Sequence, residues 1–275
     1  MSGKTPRPDA TQLALRHQKV QRLRRLLSRR SAREAEGAFV VEGAKVLSEA
    51  LDAGAPVESV YVAAGSMADP VAQRAFDAGV RVYELGPGVI ERIADTVTPQ
   101  PLMAVVSFVD RPLAALAEAD LLVVAVDVRD PGNAGTVLRS AEAAGAGGLL
   151  FCDGSVDVYN PKTVRASAGS LFHVPVVAGG DAVQVLREMA SWGVRRLATS
   201  SAGGRDYAQL DLTGPVAFVL GNEATGLPPE VEGLVDERVT IPMAGRSESL
   251  NVGMAAAVLC FETARQRRQA AAMAR

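Results

Sequence analysis

From residue 121 onward, the chain alternates short apolar runs with segments of helical periodicity. The predicted strands are 121–127, 147–151, 174–177, 195–199, 216–220 and 237–241, and the predicted helices are 134–144, 161–171, 181–192, 228–234 and 250–269. Apolar strands separated by helices are typical of parallel sheets that are covered on both faces. The sequence therefore predicts an α/β domain over 121–275 with a mostly parallel sheet.

A shorter α/β series precedes this domain. The predicted strands are 39–43, 59–64, 80–85 and 102–108, and the predicted helices are 44–54, 69–79 and 88–95. This pattern predicts a small α/β domain over 35–110, joined to the larger one by a linker at 111–120. Residues 1–11 are polar and contain two prolines, so we expect them to be disordered.

Three polar, glycine-rich loops follow apolar strands of the larger domain. They are DVRDPGNAG after the strand at 121–127, LGNEATG after 216–220 and IPMAGRSESLN after 237–241. Ligands of parallel α/β sheets bind beyond the carboxyl ends of the strands, so the three loops together predict a pocket. Singly, each has a structural explanation, such as turn chemistry in Asp-Pro-Gly-Asn or a helix cap at Ser249 or Asn251.

The first loop does not have the spacing of a nucleotide-phosphate loop. Gly132 and Gly135 fit neither G-x-G-x-x-G nor the P-loop pattern, which needs a lysine. The residues that stand out are Asn133 and Arg139, which are six positions apart. In a helix they would not share one narrow face, but Asn133 could lie in the turn before the helix.

The net charge of −2 conceals a strong asymmetry. Residues 1–34 carry ten Lys or Arg against two acidic residues, which gives this segment +8 and the remainder −10. A basic arm on an acidic body favours a polyanion such as nucleic acid, with Arg22, Arg24, Arg25, Arg29 and Arg30 as candidate RNA contacts. The alternative is a solvated basic helix. From Leu13 to Arg33 the apolar positions roughly follow helical spacing, and Val20, Leu23, Leu26 and Leu27 would also allow the segment to pack as a structural helix.

Composition narrows the function classes further. Cys152 and Cys260 both lie in apolar stretches, which favours buried free thiols over a disulfide or a metal site. The chain has only two histidines, so we expect no metal site. No apolar run reaches the length of a membrane span and no signal peptide is evident, so we expect a cytoplasmic protein without a membrane partner.

The motifs DPGNAGTVLRSAEAAG, FVLGNEATGL and IPMAGRSESLNVGMAAAV resemble motifs 1, 2 and 3 of the SpoU/TrmH family of RNA ribose 2′-O-methyltransferases. The resemblance covers 121–265. The segment RLRRLLSRRSAREAEGAFVVEGAKVLSEAL resembles the start of the substrate-binding domain that many of these enzymes carry. It implies a SPOUT fold with a deep trefoil knot, S-adenosylmethionine (SAM) as cofactor and a homodimer packed through the knotted domains.

The resemblance also implies the site residues. Arg139 matches the family arginine proposed to activate the 2′-hydroxyl, and Asn133, Glu223, Ser249 and Asn251 would orient the arginine, the loops or the nucleotide. The residues expected to hold SAM are Leu220, Gly221, Asn222, Ile241, Met243, Ser249 and Leu250. A guanidinium is almost never deprotonated, so holding a phosphate and stabilising the alkoxide is a better role for Arg139 than acting as a base.

The RNA substrate stays open at this point. The two-domain arrangement and the basic arm resemble ribosomal RNA methyltransferases, in particular those of 23S rRNA, more than the tRNA-specific branch. The alternatives are a tRNA methyltransferase, a non-catalytic SAM- and RNA-binding module, and a nucleotide-dependent oxidoreductase. The missing G-x-G-x-x-G weighs against the last.

Overall fold

The computed structural model describes residues 12–201 and 203–274. They form two compact units, which are described separately. The first contains the described residues up to Val109 together with Tyr159–Phe172, and the second contains the rest. The predicted disorder of residues 1–11 lies outside the described residues.

The first unit is a four-stranded mixed sheet with helices. Its strands are β1 (Ala38–Glu42), β2 (Val57–Val62), β3 (Arg81–Glu84) and β4 (Leu102–Ser107), and its helices are α1 (Gln18–Ser28), α2 (Arg30–Glu36), α3 (Ala44–Asp52), α4 (Pro70–Asp77), α5 (Val89–Ile93) and α7 (Pro161–Ser167). The order is β1-β4-β2-β3, with β4 antiparallel to both neighbours and β2 parallel to β3. The predicted elements between 39 and 108 are confirmed to within three residues at each end.

The basic N-terminal segment is a packed part of this unit. Its apolar positions Val20, Leu23, Leu26 and Leu27 are all buried. The helical spacing read across Leu13 to Arg33 does not form one helix, because Arg29 is extended and separates α1 from α2. Leu13 instead pairs with Leu85 as a short bridge.

The segment Tyr159–Phe172 packs on β1, although it lies between two strands of the second unit in sequence. The ring of Tyr159 lies 4.7 Å from that of Phe39 and 4.0 Å from that of Phe108, measured between centroids. The nearly buried carboxylate of Glu42 accepts a 3.1 Å hydrogen bond from Arg165 on α7. The prediction of two contiguous domains does not include this arrangement. The predicted domain bounds stay a prediction.

The second unit is built on a seven-stranded sheet. Its strands are β5 (Leu121–Ala125), β6 (Gly148–Phe151), β7 (Val176–Ala178), β8 (Arg195–Thr199), β9 (Arg205–Asp206), β10 (Val216–Leu220) and β11 (Glu237–Thr240), and its helices are α6 (Pro131–Ala143), α8 (Ala182–Ser191), α9 (Pro229–Glu232) and α10 (Val252–Met273). The order is β7-β6-β5-β10-β8-β11-β9, and each of these pairings is parallel. The predicted α/β class and parallel sheet are confirmed.

Several predicted elements differ at their ends. The helix predicted over 161–171 ends at Ser167, because Ala168 is left-handed, and a 3₁₀ turn follows at Ser170–Phe172. The last helix begins at Val252 and runs to Met273, and the two-residue strand β9 was not predicted. The predicted linker at 111–120 contains a 3₁₀ turn at Leu113–Leu116.

Both cysteines are buried and free, and burial raises the pKa of each thiol to about 12. Within the described part of the chain, no helix has the length and apolar character needed to cross a membrane.

Candidate active site

The first motif loop connects β5 to α6 and is held by its own polar groups. Asp130 caps α6, because its Oδ1 accepts a 2.8 Å hydrogen bond from the backbone N–H of Asn133. Pro131 occupies the first helical position, where its missing N–H is not needed. Asp127 has a φ of 57°, a conformation that Asp adopts more readily than most residues. The loop therefore turns sharply from β5 and fixes the start of α6.

The second motif loop is closed by two backbone hydrogen bonds between Asn222 and Gly226, at 3.0 and 2.9 Å. A Cβ at Gly221 would lie 2.6 Å from the carbonyl carbon of Gly226, so only glycine fits there without moving the loop. The side-chain amide of Asn222 donates a 3.0 Å hydrogen bond to the carbonyl of Asp127. The first two motif loops are thereby tied together.

Asn133 joins all three motifs. Its Nδ2 donates a 2.6 Å hydrogen bond to Glu223, and its Oδ1 accepts a 2.6 Å hydrogen bond from Asn251. Asn251 also caps α10, because its Oδ1 accepts a hydrogen bond from the N–H of Gly253. Three predicted site residues from distant parts of the chain therefore form one continuous hydrogen-bonded chain.

A cavity of about 570 Å³ lies beside these hydrogen-bonded side chains. Its lining includes Gly221, Asn222, Glu223, Ile241, Met243, Ser249, Leu250 and Asn251. Leu220, by contrast, is fully buried in β10 and does not line the cavity. The lining therefore brings together residues from the second and third motif loops. The first motif loop, which the pocket prediction also included, does not line the cavity and is joined to it through the hydrogen bonds of Asn133.

The prediction from sequence missed one loop of this cavity. Thr199, the last residue of β8, and Ser200 and Ser201, which follow it, also line the cavity. The loop carries the same signal as the other three, since small polar residues follow a strand of a parallel sheet. It lacks the amide and guanidinium side chains that distinguish the first loop.

Arg139 lies on α6, exposed and outside the lining of the cavity. Throughout residues 12–201 and 203–274, no hydrogen bond or ion pair to this guanidinium is formed. Glu223, one of its candidate partners, instead accepts from Asn133. The guanidinium of Arg139 is therefore available to an external anion.

The predicted RNA contacts on α1 and α2 divide into two groups. Arg22 is held by Glu36 and Glu58 at 2.6 and 2.7 Å, Arg25 lies 3.6 Å from Glu36, and Arg30 pairs with Glu34. Burial lowers the pKa of Arg22, but hydrogen bonds to Glu58 and Glu36 outweigh it and raise the pKa above its ordinary value. Among the described side chains, those of Arg24 and Arg29 are exposed and have no such partner.

The cavity fits SAM in size and chemistry. Its volume lies within the range of small-molecule sites, which runs from about 300 to 1,000 Å³. Ile241, Met243 and Leu250 supply apolar surface for an adenosine, and Gly221 lines the cavity with backbone atoms only. Hydroxyls and carboxylates on the remaining walls suit the charged methionyl end.

Comparisons with known proteins agree with this geometry. The SpoU rRNA Methylase family matches residues 120–261, and the MRM3-like substrate binding domain matches 17–104. Similar proteins include a 23S rRNA guanosine 2′-O-methyltransferase of Bacillus subtilis, which is 31% identical over 90% of this chain and 96% of that protein. A 23S rRNA uridine 2′-O-methyltransferase of Streptomyces viridochromogenes is 32% identical over 94% of each.

Solved structures give the same result. The AdoMet-bound rRNA methyltransferase from Sinorhizobium meliloti has a TM-score of 0.83 and 31% identity, covering 93% of this chain and 97% of that one. The family match covers more than half of the chain, and the relatives align over nearly all of it. This chain belongs to the SpoU rRNA methylase family, whose enzymes use SAM as methyl donor.

Proposed function

We propose that this enzyme methylates the ribose 2′-hydroxyl of a nucleotide in 23S rRNA. The observation that carries the proposal is the junction at Asn133, which links all three motif loops beside the cavity while Arg139 stays unpaired. The choice of RNA is supported by the two relatives named as 23S rRNA 2′-O-methyltransferases.

Bound SAM supplies a methyl group that is electrophilic because it is attached to a sulfonium. The groups that would hold the cofactor are the backbone around Gly221 and Asn222 and the apolar side chains of Ile241, Met243 and Leu250. Ser249 would position the nucleotide or the methionyl end, since its hydroxyl lines the same cavity.

Arg139 would bind the phosphate next to the target ribose and stabilise the negative charge that develops on the 2′-oxygen. A preorganised cation aimed at a developing oxyanion is an efficient form of stabilisation. Because a guanidinium keeps its proton, water takes the proton of the hydroxyl. Asn133, Glu223 and Asn251 position the first motif loop, and with it α6, relative to the cofactor loops.

The first unit would bind the RNA outside the reacting nucleotide. This role is supported by its match to a substrate-binding domain and by Arg24 and Arg29, whose charges are not neutralised by a carboxylate. Arg22, Arg25 and Arg30 contribute less, because each is already paired with glutamate. Action on rRNA would take place in the cytoplasm.

We infer a homodimer that packs through α10. Met254 and Phe261 are 59% and 47% exposed and lie seven residues apart, so they share one face of this helix. Changing both to Asp should convert the dimer to monomer in sedimentation experiments. The Phe76→Asp control, at an exposed apolar position of the first unit, should leave it dimeric.

The trefoil knot is part of the same proposal. It is supported by the structural likeness to SpoU methyltransferases, since membership of that family implies such a knot. A knotted domain would keep its knot when it is mildly unfolded. It would fold slowly from the fully denatured chain, and also when it is newly synthesised in vitro.

Mapping of 2′-O-methyl groups in a deletion strain tests the substrate. Loss of one methylated nucleotide in 23S rRNA, restored by the wild-type gene and not by an Arg139→Ala variant, supports the proposal. Loss of a methyl group from tRNA with intact 23S rRNA overturns it.

A further inference from the structure

Helices α6 and α10 touch at an unusually close point, where Gly253 faces Thr136. A Cβ placed on Gly253 would lie 2.8 Å from both the Cβ and the Cγ2 of Thr136, and 3.2 Å from the Oδ1 of Asn251. Carbon atoms in good contact are separated by about 3.5–4.0 Å, so the two helices could not keep this spacing with a side chain on both residues. The Cβ of Thr136 is fixed to its helix backbone and cannot rotate away.

This contact lies directly beside the junction of the three motifs. Thr136 is one helical turn after Asn133 on α6, and Gly253 is two residues after Asn251 on α10. The hydrogen bond from Asn251 to Asn133 is short, at 2.6 Å. A separation of the helices by several tenths of an ångström at Thr136 would therefore be transmitted to that bond.

We propose that the Thr136–Gly253 contact is a spacer that sets the separation of Asn133 and Asn251, and that both spacer residues are positioning residues for methyl transfer. The spacer keeps the first motif loop, which carries Asn133, in register with the third motif loop at the cofactor cavity. This inference rests on the proposed function, because the network matters only if it orients α6 and Arg139 for transfer.

The hydroxyl of Thr136 has a separate role that must be distinguished from its packing. Its Oγ1 donates a 2.9 Å hydrogen bond to the carbonyl of Gly132 within α6. Thr136→Val keeps the shape of the side chain and removes this hydrogen bond. If the spacer is a matter of packing, this variant should lower kcat less than Gly253→Ala does, because it keeps the Cβ and a Cγ that face Gly253.

Full-length variants test the spacer by turnover, SAM affinity and thermal unfolding. Gly253→Ala should lower kcat by about tenfold or more, since displacements below 1 Å in a catalytic arrangement are costly. Combining it with Thr136→Gly removes the opposing Cβ and should restore kcat to within about threefold of Thr136→Gly alone. Gly214→Ala, at a glycine with no atom near the added Cβ, is the matched control and should behave as wild type.

A second pair of variants separates positioning from general packing. Asn251→Asp keeps the oxygen that caps α10 and removes the amide that donates to Asn133. If the spacer acts through that hydrogen bond, Gly253→Ala should cost no further kcat in an Asn251→Asp background, although it should still lower the melting temperature. A merely structural role would give multiplied losses of kcat in the double variant.

The outcomes are decisive in both directions. Wild-type kcat in Gly253→Ala, failure of Thr136→Gly to rescue it, or multiplied losses with Asn251→Asp would each overturn the spacer. If Gly253→Ala does not fold, the comparison of the Thr136→Gly/Gly253→Ala double variant with Thr136→Gly decides, because the spacer predicts equal kcat. Absence of methyl transfer to rRNA by the wild-type enzyme would instead count against the proposed function.

Discussion

The side chain of Asn251 donates a hydrogen bond to Asn133, which lies 118 positions earlier in the chain. This bond connects the start of α10 to the start of α6, and thus the third motif to the first. Asn133 continues the connection to Glu223 in the second motif. Hydrogen bonds to neighbouring side chains therefore hold the amides of Asn133 and Asn251 in place, as expected for a preorganised site.

Arg139→Ala should abolish turnover and leave the Kd for SAM within about threefold, because Arg139 is proposed to contact the RNA phosphate and the developing oxyanion and not the cofactor. The guanidinium lies outside the cofactor cavity, so the cofactor loses no contact. Arg139→Lys keeps the charge and should recover only part of kcat, since a lysine cannot form a bidentate contact with phosphate. Kinetic assays would measure kcat and calorimetry would measure the Kd for SAM of both variants. Wild-type kcat with a large loss of SAM affinity would remove Arg139 from the catalytic role.

Leu250→Arg should have the opposite effect and weaken SAM binding. Leu250 is half-buried in the wall of the cavity, and an unpaired cation there would be poorly solvated. Leu250→Met, which conserves apolar volume, is the control and should bind SAM nearly as wild type. Calorimetry with SAM measures both; equal affinities in folded variants would refute the assignment of the pocket.

Substitutions at Asn251 should separate its two roles, which are the cap of α10 and the hydrogen bond to Asn133. Asn251→Ala removes the cap of α10 and should lower the stability by about 1 kcal/mol. It should also lower kcat, because the hydrogen bond to Asn133 is lost. Asn251→Asp retains the cap and should lower kcat with an unchanged melting temperature. Chemical denaturation and turnover of the same two preparations provide the measurement. Equal destabilisation by both variants would mean that the cap is not made by Oδ1.

Arg24 and Arg29 should contribute to RNA binding more than the paired arginines beside them. Changing both to Gln should weaken binding and make its salt dependence shallower by about one unit of slope per lost phosphate contact. Arg30→Gln, at a residue that pairs with Glu34, is the control and should leave the slope nearly unchanged. RNA titrations at several salt concentrations give the slopes, and SAM affinity should stay constant. Equal slopes for all variants would contradict an RNA contact at these two positions.

Deleting residues 1–34 is a poor test of that contact. The excess of arginine over leucine in this segment, taken alone, favours a loss of RNA affinity over a loss of stability. In the structure Val20, Leu23 and Leu26 are completely buried, so the deletion would expose the core of the first unit. A lower melting temperature is therefore the expected dominant effect, and the point variants above are needed to measure the charge contribution.

Much of the second unit could be predicted from local patterns. The apolar run of β5 and its helix α6 were found because strand and helix periodicities are local signals, and Pro131 with Asp130 accounts for the earlier start of α6. The motif residues Asn133, Glu223 and Asn251 were identified by resemblance. The hydrogen bonds that join them depend on chain reversal in three dimensions and have no signal in the spacing.

The errors have physical causes. No Gly or Pro marks the break at Arg29; the break is instead stabilised by Arg33, which is buried and donates a hydrogen bond to the carbonyl of Leu26. The ion pair of Arg22 with Glu58 links residues 36 positions apart, so counting charges in the arm overestimated its free positive charge. The place of Tyr159–Phe172 in the first unit depends on aromatic contacts with β1 that sequence alone does not reveal.

Transfer of a labelled methyl group from SAM to RNA tests the central claim most directly. The purified enzyme would be given 23S rRNA, 16S rRNA and tRNA that lack modifications, and the products would be digested and the labelled nucleoside identified. The account predicts label in 23S rRNA alone, on a ribose 2′-oxygen, and none with the Arg139→Ala variant. Label on a base, label in tRNA alone, or full transfer by Arg139→Ala would contradict it.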